Sequence, residues 1–376
     1  MRMTKTYLDN AATTFPKPRR VLEEMNFCLK KYCGNPGRSS HDLSLRSSEA
    51  IYFAREKIAK MLGVNTPEQI VFTYNATYAL NIAIKTIITE KCHVLISDFE
   101  HNSVVRPLEH LRETLGIEYS TFNTDGNITL CLKSSMRPDT RGIVCSIASN
   151  VIGKTISLKV LSDFARENSL FLIIDASQAL GHIEIDLSNS PCDALCGPGH
   201  KALFGIQGSG FVYFKNKTRS ASFIEGGSGT DSASKNMPLL LPEGYEAGTL
   251  STPAIVSLSA GVKFIEEIGI REIRRKLNNL TDLTYDSLSS IDGVKIYKQG
   301  CGIISFNLRD ESSSKISALL NEEGIYVRGG LHCAPSVHEG LGTTDQGAVR
   351  VSFSYLNKTR DVDRLYLAMK KISTDI

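Results

Sequence analysis

Residues 171–182 read FLIIDASQALGH. Four apolar residues run without interruption into Asp175, the pattern of a strand buried on both faces that ends on a carboxylate at its carboxyl tip. Taken alone, an aspartate in that place is more readily an N-cap or turn residue. Residues 196–211, CGPGHKALFGIQGSGF, change the weighing. Lys201 follows strand-like DALC (193–196) and precedes a glycine-rich stretch and another strand, so it is held inside a tight turn and is not a free surface cation.

A lysine is the residue that forms Schiff bases, and it does so when its ammonium is desolvated and its pKa lowered. Enzymes of pyridoxal 5'-phosphate (PLP) pair such a lysine with an acid that keeps the pyridine nitrogen protonated. Asp175 and Lys201 have the residue types and the order of that pair, and PLP is the cofactor they predict.

Outward from this segment, Ile70–Thr73, Val94–Ser97, Ile143–Ile147, Leu170–Ile174 and Gly210–Phe214 read as strands, with helical patterns such as Ala76–Ile88 and Leu158–Asn168 between them. Such alternation predicts an α/β fold with a mainly parallel sheet covered by helices, its ligand site in the loops after the strands. Residues 215–250 are rich in Gly, Ser and Pro and read as a long loop and a boundary. Beyond it, helices over Ala254–Ile268, Ile270–Leu288 and Ser313–Glu322, strands over Gly302–Asn307, Ile325–Arg328 and Val349–Ser352, and a helix after Thr359 predict a smaller α+β domain. The expected organisation is an arm (1–20) packed on the small domain, a large cofactor-binding domain (21–250) and a small C-terminal domain (251–376).

A chain of 376 residues with 41% hydrophobic and 22% charged residues is an ordinary soluble globular one, and a net charge of +3 without a basic block gives no case for nucleic acid or an anionic membrane. The N-terminus carries no apolar targeting stretch, and a cytoplasmic location is expected. Nine cysteines in an odd, scattered set form no secreted disulfide framework, and Cys192 with Cys196 lacks a second ligand pair, so no metal is expected.

Further candidates lie in the predicted loops. FTYNATYALNIAI (72–84) gives a strand end, a polar turn and a helix start whose N–H groups suit a phosphate, with the backbone of Ala76 and the side chain of Thr77 as donors and His200 as another. ISDFEHNSVVRP (96–107) places His101 after a strand, where its ring could stack on a pyridine or merely cap a helix. In IYVRGGLHCAPSVHEGLGT (325–343), Cys333 sits after glycines with His332 and His338 on either side, a setting for an exposed thiol activated by imidazoles. Arg350 of GAVRVSFSY (347–355) has the planar fork that suits a substrate carboxylate, or equally a salt bridge.

These residues resemble the class-V aminotransferase-like cysteine desulfurases and selenocysteine lyases of PLP fold type I. The likeness runs from YLDNAATT (7–14) through SNVIG (149–153), DASQALGH, GPGHK and YEAGT (245–249) to RGGLHCA (328–334) and VRVSFSYLN (349–357). It implies Lys201 as the Schiff-base lysine, Asp175 at the pyridine nitrogen, Gln178 at the ring hydroxyl and His101 on the ring face. Thr77, Ala76 and His200 would hold the phosphate together with Thr249 of a neighbouring subunit, which makes the resemblance imply a homodimer with composite sites. Asn150, Arg350 and Ala11 would hold the substrate, and Cys333 would take its sulfur. The implied reaction converts L-cysteine to L-alanine with a persulfide on Cys333, handed on to a sulfur-acceptor protein. A selenocysteine lyase, another PLP-dependent β-lyase or aminotransferase on a small amino acid, and a scaffold that kept only the fold stand as alternatives. The short R-x-G-x-H-C-A pattern resembles the second group of desulfurases, with Gly329, Leu331, Pro198 and Ala76 as departures from the usual residues.

Overall fold

A computed structural model of the chain describes residues 5–37, 40–216, 223–230 and 233–376. Residues 1–4 of the expected arm and residues 217–222 and 231–232 of the expected long loop lie outside the described residues. Along the chain come β1 (Thr6–Tyr7), α1 (Arg19–Lys31), α2 (Asp42–Met61), β2 (Ile70–Thr73), α3 (Ala76–Ile87), β3 (His93–Ser97), α4 (Asn102–Leu115), β4 (Glu118–Phe122), α5 (Ile128–Ser135) and β5 (Thr140–Ser146). They are followed by α6 (Leu158–Glu167), β6 (Phe171–Asp175), β7 (Ala194–Pro198), β8 (Gly210–Phe214), α7 (Thr252–Ile268), α8 (Ile270–Ser289), β9 (Val294–Gly300) and β10 (Ile303–Leu308). The chain ends with α9 (Ser313–Glu322), β11 (Ile325–Tyr326), β12 (Arg328–Gly330), α10 (Pro335–Leu341), β13 (Ala348–Ser352) and α11 (Thr359–Asp375).

Seven strands form one sheet in the order β2-β8-β7-β6-β5-β3-β4. Only β8 runs against its neighbours; the five strands from β7 to β4 are parallel. The uninterrupted apolar runs are explained by burial on both faces. Leu95, Ile143, Leu172, Ile174 and Leu195 belong to one core, with Ile58 of α2, Phe164 of α6 and Leu258 of α7. Ile96, Val144, Ile173 and Ala194, at alternating positions, belong to the other, with Leu80 of α3 and Leu108 of α4.

β12-β13-β10-β9 form an antiparallel four-stranded sheet, and β1 pairs in parallel with β11. The stretch read as one strand over Ile325–Arg328 therefore divides at Val327 between two sheets. β4 and β9, which the hydrophobic pattern did not single out, are edge strands with mixed polar sequences, EYSTF and VKIYKQG, so they lack the continuous apolar signature of the interior strands. The SNVIG turn abuts β9: a Cβ on Gly153, at φ +62°, would stand 1.9 Å from the carbonyl oxygen of Gly300. Ser305 Oγ of β10 donates to the Val151 carbonyl at 2.6 Å from the other side of that turn.

One buried ion pair fixes the segment that leads into α7. Arg55 of α2 meets both carboxylate oxygens of Glu246 at 2.8 Å, and Glu246 also accepts the Phe72 backbone N–H of β2 at 2.6 Å. The guanidinium lies 4.7 Å over the Phe72 ring. Truncating one member leaves the other charged and dry, so Glu246→Ala is expected to destabilise the fold by about 3–5 kcal/mol, measured by urea unfolding. Arg55→Met/Glu246→Leu, which removes both charges, is expected to lose less.

Candidate active site

The carboxyl ends of the parallel strands open onto a cavity of about 350 Å³, bordered also by Ala11 and Ala12 of the N-terminal arm and by Arg328 and Arg350 of the four-stranded sheet. Asp175, the last residue of β6, lines it beside Lys201, which follows β7. Oδ1 of Asp175 accepts the Ser177 N–H at 2.8 Å, so the aspartate does cap a turn, as its place in the sequence also allowed. The same residue faces the cavity, and the two readings of the sequence are both true of it. Burial brings the Lys201 ammonium down from its usual range to about 8, with Asp175 opposing the shift and Arg350 and Arg328 adding to it.

His101 is the N-cap of α4: its Nδ1 accepts the backbone N–H of Ser103 at 3.0 Å. A backbone N–H can only donate, so the neutral ring carries its proton on Nε2. Burial holds the ring neutral, its pKa down to about 4. Here again capping and cavity lining coincide in one residue.

At the other end of the cavity, α3 begins. Asn75 caps it by accepting the Tyr78 N–H at 3.1 Å, which leaves the first-turn N–H groups of Ala76 and Thr77 directed outward from the helix start. Thr77 Oγ1 lies 2.8 Å from Ser103 Oγ. His200 stands across from them with a buried Nδ1 that has no partner among the described residues, its imidazole pushed down to about 4 by burial and by Lys201. Thr249 is exposed and does not line this cavity.

The arm crosses the cavity mouth. Ala11 N–H donates to Ser352 Oγ at 2.8 Å, the Ala11 carbonyl accepts from Gln178 Nε2 at 3.0 Å, and Thr14 Oγ1 donates to the Lys201 carbonyl at 2.7 Å. Arg350 is almost fully enclosed, 1% exposed, with Nη2 on Asp9 at 2.8 Å and Nη1 on the Asn150 carbonyl at 3.0 Å. Its Nε is buried without a partner among the described residues, so this guanidinium keeps a donor in reserve. Asn150 uses one side-chain N–H on the His332 carbonyl at 2.7 Å.

Cys333 is exposed, and its loop is tied down. Both His332 and Cys333 take left-handed backbone, φ +52° and +57°, and Asn102 N–H donates to the Cys333 carbonyl at 2.8 Å. The expectation of flanking imidazoles is corrected here. His332 and His338 are buried; His332 Nε2 is engaged by the Ala348 carbonyl and His338 Nδ1 by Thr343. The group that meets the thiol is Arg328, whose Nη2 lies 3.8 Å from Cys333 Sγ and whose side chain also lines the cavity. Gly329, next to it, has no room for a side chain: a Cβ would stand 2.4 Å from the Ser313 carbonyl oxygen.

Asp9, Arg328 and Ser103 belong to this arrangement and were not singled out in the sequence. For Arg328 a signal exists, its place at the head of RGGLHC. Asp9 meets Arg350 across 341 residues, which no local pattern reveals.

The donor set fits PLP: an amine depressed by burial, a carboxylate beside it, a neutral ring on the cavity wall, and an open helix start facing an unpartnered imidazole nitrogen. No group of three or more His, Cys, Asp or Glu among the described residues is arranged to hold a metal ion. Among the described residues, no helix is long and apolar enough to cross a membrane.

Comparison with known proteins agrees with this geometry. The family model described as "Aminotransferase class-V" matches residues 6–365. A probable cysteine desulfurase of Methanothermobacter thermautotrophicus is 30% identical over 98% of this chain and 94% of its own, and one of Halalkalibacterium halodurans is 28% identical over 97% and 92%. Among solved structures, the apo cysteine desulfurase of Thermococcus onnurineus NA1 superposes with a TM-score of 0.89 at 26% identity, covering 99% of this chain and 95% of that one. The cysteine desulfurase CsdA of Escherichia coli, at 24% identity and the same TM-score of 0.89, shares the fold. With its family model covering nearly the whole length and its strand-end cavity built around Lys201 and Asp175, the chain belongs to the class-V aminotransferase family.

Proposed function

We propose that the protein is a PLP-dependent cysteine desulfurase, converting L-cysteine to L-alanine and leaving the sulfur on Cys333 as a persulfide. The observation that carries this reading is the place of Cys333: exposed, beside the cavity-lining Arg328, and near enough to Lys201 to act on its charge. The names of the full-length relatives point the same way.

In this reading Lys201 would bond the cofactor, Asp175 would hold its pyridine nitrogen, Gln178 its ring hydroxyl, and His101 its ring. Ala76, Thr77 and His200 hold its phosphate. Bound there, PLP supplies an electron sink for charge that develops at the substrate's Cα. The protein's residues do the rest. Arg350, with Asp9 and the Asn150 carbonyl fixing its fork, offers the free Nε to the substrate carboxylate, near Ala11 and Asn150. Once the substrate's amino group has taken its place on the cofactor, the freed Lys201 Nζ, its pKa brought down to about 8, would take the Cα proton. The His101 Nε2–H offers a hydrogen-bond donor on the cavity wall. Cys333 Sγ then attacks the substrate sulfur as the substrate C–S bond breaks. Enzyme thiol and cysteine become enzyme persulfide and alanine, and no outside oxidant is needed. Arg328 stands beside the attacking sulfur, its Nη2 3.8 Å from Cys333 Sγ.

We also read the active unit as a homodimer. Thr249 is exposed on its own chain, and Tyr74 and Tyr78, 51% and 42% exposed, flank the helix start that would take the phosphate. A second copy seated there would cover these rings and bring its Thr249 to the phosphate. The persulfide would pass to a sulfur-acceptor protein that reaches Cys333 from solvent.

The deciding experiment is alanine release from L-cysteine under reductant, wild type beside Cys333→Ser. Loss of about 100-fold or more in the mutant, with its cofactor absorbance kept, is expected. Equal release from both would sink the role of Cys333 and favour a lyase acting on selenocysteine or another small amino acid. A second expectation follows from the depressed lysine: only the neutral amine reacts, so in the cofactor-free protein arylation of Lys201 should rise with pH through about 8. Peptide mapping against Lys201→Ala checks this, and a midpoint near that of an exposed lysine would contradict it.

A further inference from the structure

Beneath the cavity floor lies a second carboxylate that the proposed reaction leaves without a task. Glu100, directly before His101, is 1% exposed. Its Oε1 accepts from Ser97 N–H at 3.3 Å, from Ser97 Oγ, and from Ser146 N–H at 2.8 Å. Its Oε2 meets Ser146 Oγ at 2.6 Å. Ser146 is the last residue of β5, paired in register with Asp175 of β6, and its Oγ also lies 3.5 Å from Asp175 Oδ2. One serine hydroxyl thus stands between two buried carboxylates.

A proton count narrows what this chain can do. Ser146 has one hydroxyl proton, and it serves one carboxylate at a time. If Glu100 and Asp175 were both ionised, two buried negative charges would flank one serine hydroxyl. Lys201 works electrostatically with Asp175, whereas Glu100 is surrounded by serine donors and by Asp175 itself. If Glu100 is the neutral member, its own Oε2–H donates to Ser146 Oγ and the serine proton turns to Asp175.

We propose that Glu100 is a positioning residue for the reaction: a neutral acid that donates to Ser146 Oγ, so that Ser146 donates to Asp175 and keeps Asp175 the ionised carboxylate of the pair. Burial acts in the same sense, pushing the Glu100 carboxyl up to about 7, with Asp175 adding to the shift. The chain accounts for a buried glutamate beside a cavity-lining histidine that touches no ligand itself. It rests on the reading of Asp175 as the partner of the pyridine nitrogen.

The test uses the holoenzyme and two readouts other than turnover: the pH at which the bound cofactor's absorbance changes, and the dissociation constant of the cofactor. Ser146→Ala cuts the chain at its middle and is expected to move the midpoint by about one pH unit and to weaken cofactor binding about 10-fold. Glu100→Ala should do the same, and combining the two should add little. Glu100→Gln, whose amide N–H also donates to Ser146 Oγ, should restore both readouts. A merely structural Glu100 would lower stability and leave the midpoint in place. Unchanged readouts in Ser146→Ala, or Glu100→Gln displaced as far as Glu100→Ala, overturn the proposal. Should Glu100→Ala fail to fold, the contrast between Ser146→Ala and Glu100→Gln decides alone. Asp175→Ala separates the levels. If it moves both readouts while Ser146→Ala moves neither, only the part given to Glu100 falls; if it moves neither, the reading of Asp175 falls and this inference with it.

Discussion

The site depends on burying the Lys201 ammonium next to the Asp175 carboxylate. Desolvation alone would make a buried lysine costly, and a carboxylate in the same cavity would be equally costly alone. Neighbouring parallel strands solve both problems at once. Asp175 ends β6, β7 runs beside it with Asp175 level with Cys196, and the turn that follows returns Lys201 to the same cavity. The lysine is left with its pKa reduced to about 8 rather than abolished, because Asp175 works against the desolvation. A cation that can lose its proton near neutral pH without being neutral throughout is the compromise that Schiff-base chemistry requires.

The arrangement extends from that pair through residues that perform two tasks. Asp175 caps a turn with one oxygen and faces the cavity with the carboxylate as a whole. His101 caps α4 through Nδ1, and that bond sets its tautomer, so the capping interaction determines which nitrogen carries the proton toward the cavity. Thr14 and Ala11 of the arm close the mouth by bonding to Lys201 and Gln178 backbone and side-chain groups. Local structure and chemistry are not separable at these positions, and substituting any of them disturbs a helix end or turn as well as a ligand contact.

The same coincidence explains what could be read from the chain before folding it. The interior strands were legible because burial on both faces writes itself as unbroken apolar runs, FLIID above all, and the loops after them were legible as ligand-facing. Edge strands such as Glu118–Phe122 were not, since one edge and one face in water leave a mixed sequence. For Asp175 and His101 the local pattern alone favoured a cap or turn over a ligand-facing residue, and in the structure each does both. The activation of Cys333 was misread: adjacency to His332 and His338 in sequence does not bring their rings to the thiol, which meets Arg328 instead. The clamp of Asp9 on Arg350 and the link from Glu100 through Ser146 join elements far apart in sequence, and only the register of the sheet creates them.

The geometry of the cysteine loop bears on how sulfur would leave. Two consecutive non-glycine residues in left-handed backbone are strained, and such strain persists only where neighbours hold it. Here the holders are Asn102 on the Cys333 carbonyl, Asn150 on the His332 carbonyl and the buried His332 ring on Ala348. Asn150 also gives its own carbonyl to Arg350, so the residue that pins the loop is bonded to the proposed carboxylate ligand. A thiol fixed in this way cannot swing out to deliver a sulfur at a distance. In the proposed reaction the acceptor must come to Cys333, and the exposure of that residue beside the cavity-lining Arg328 gives it the approach.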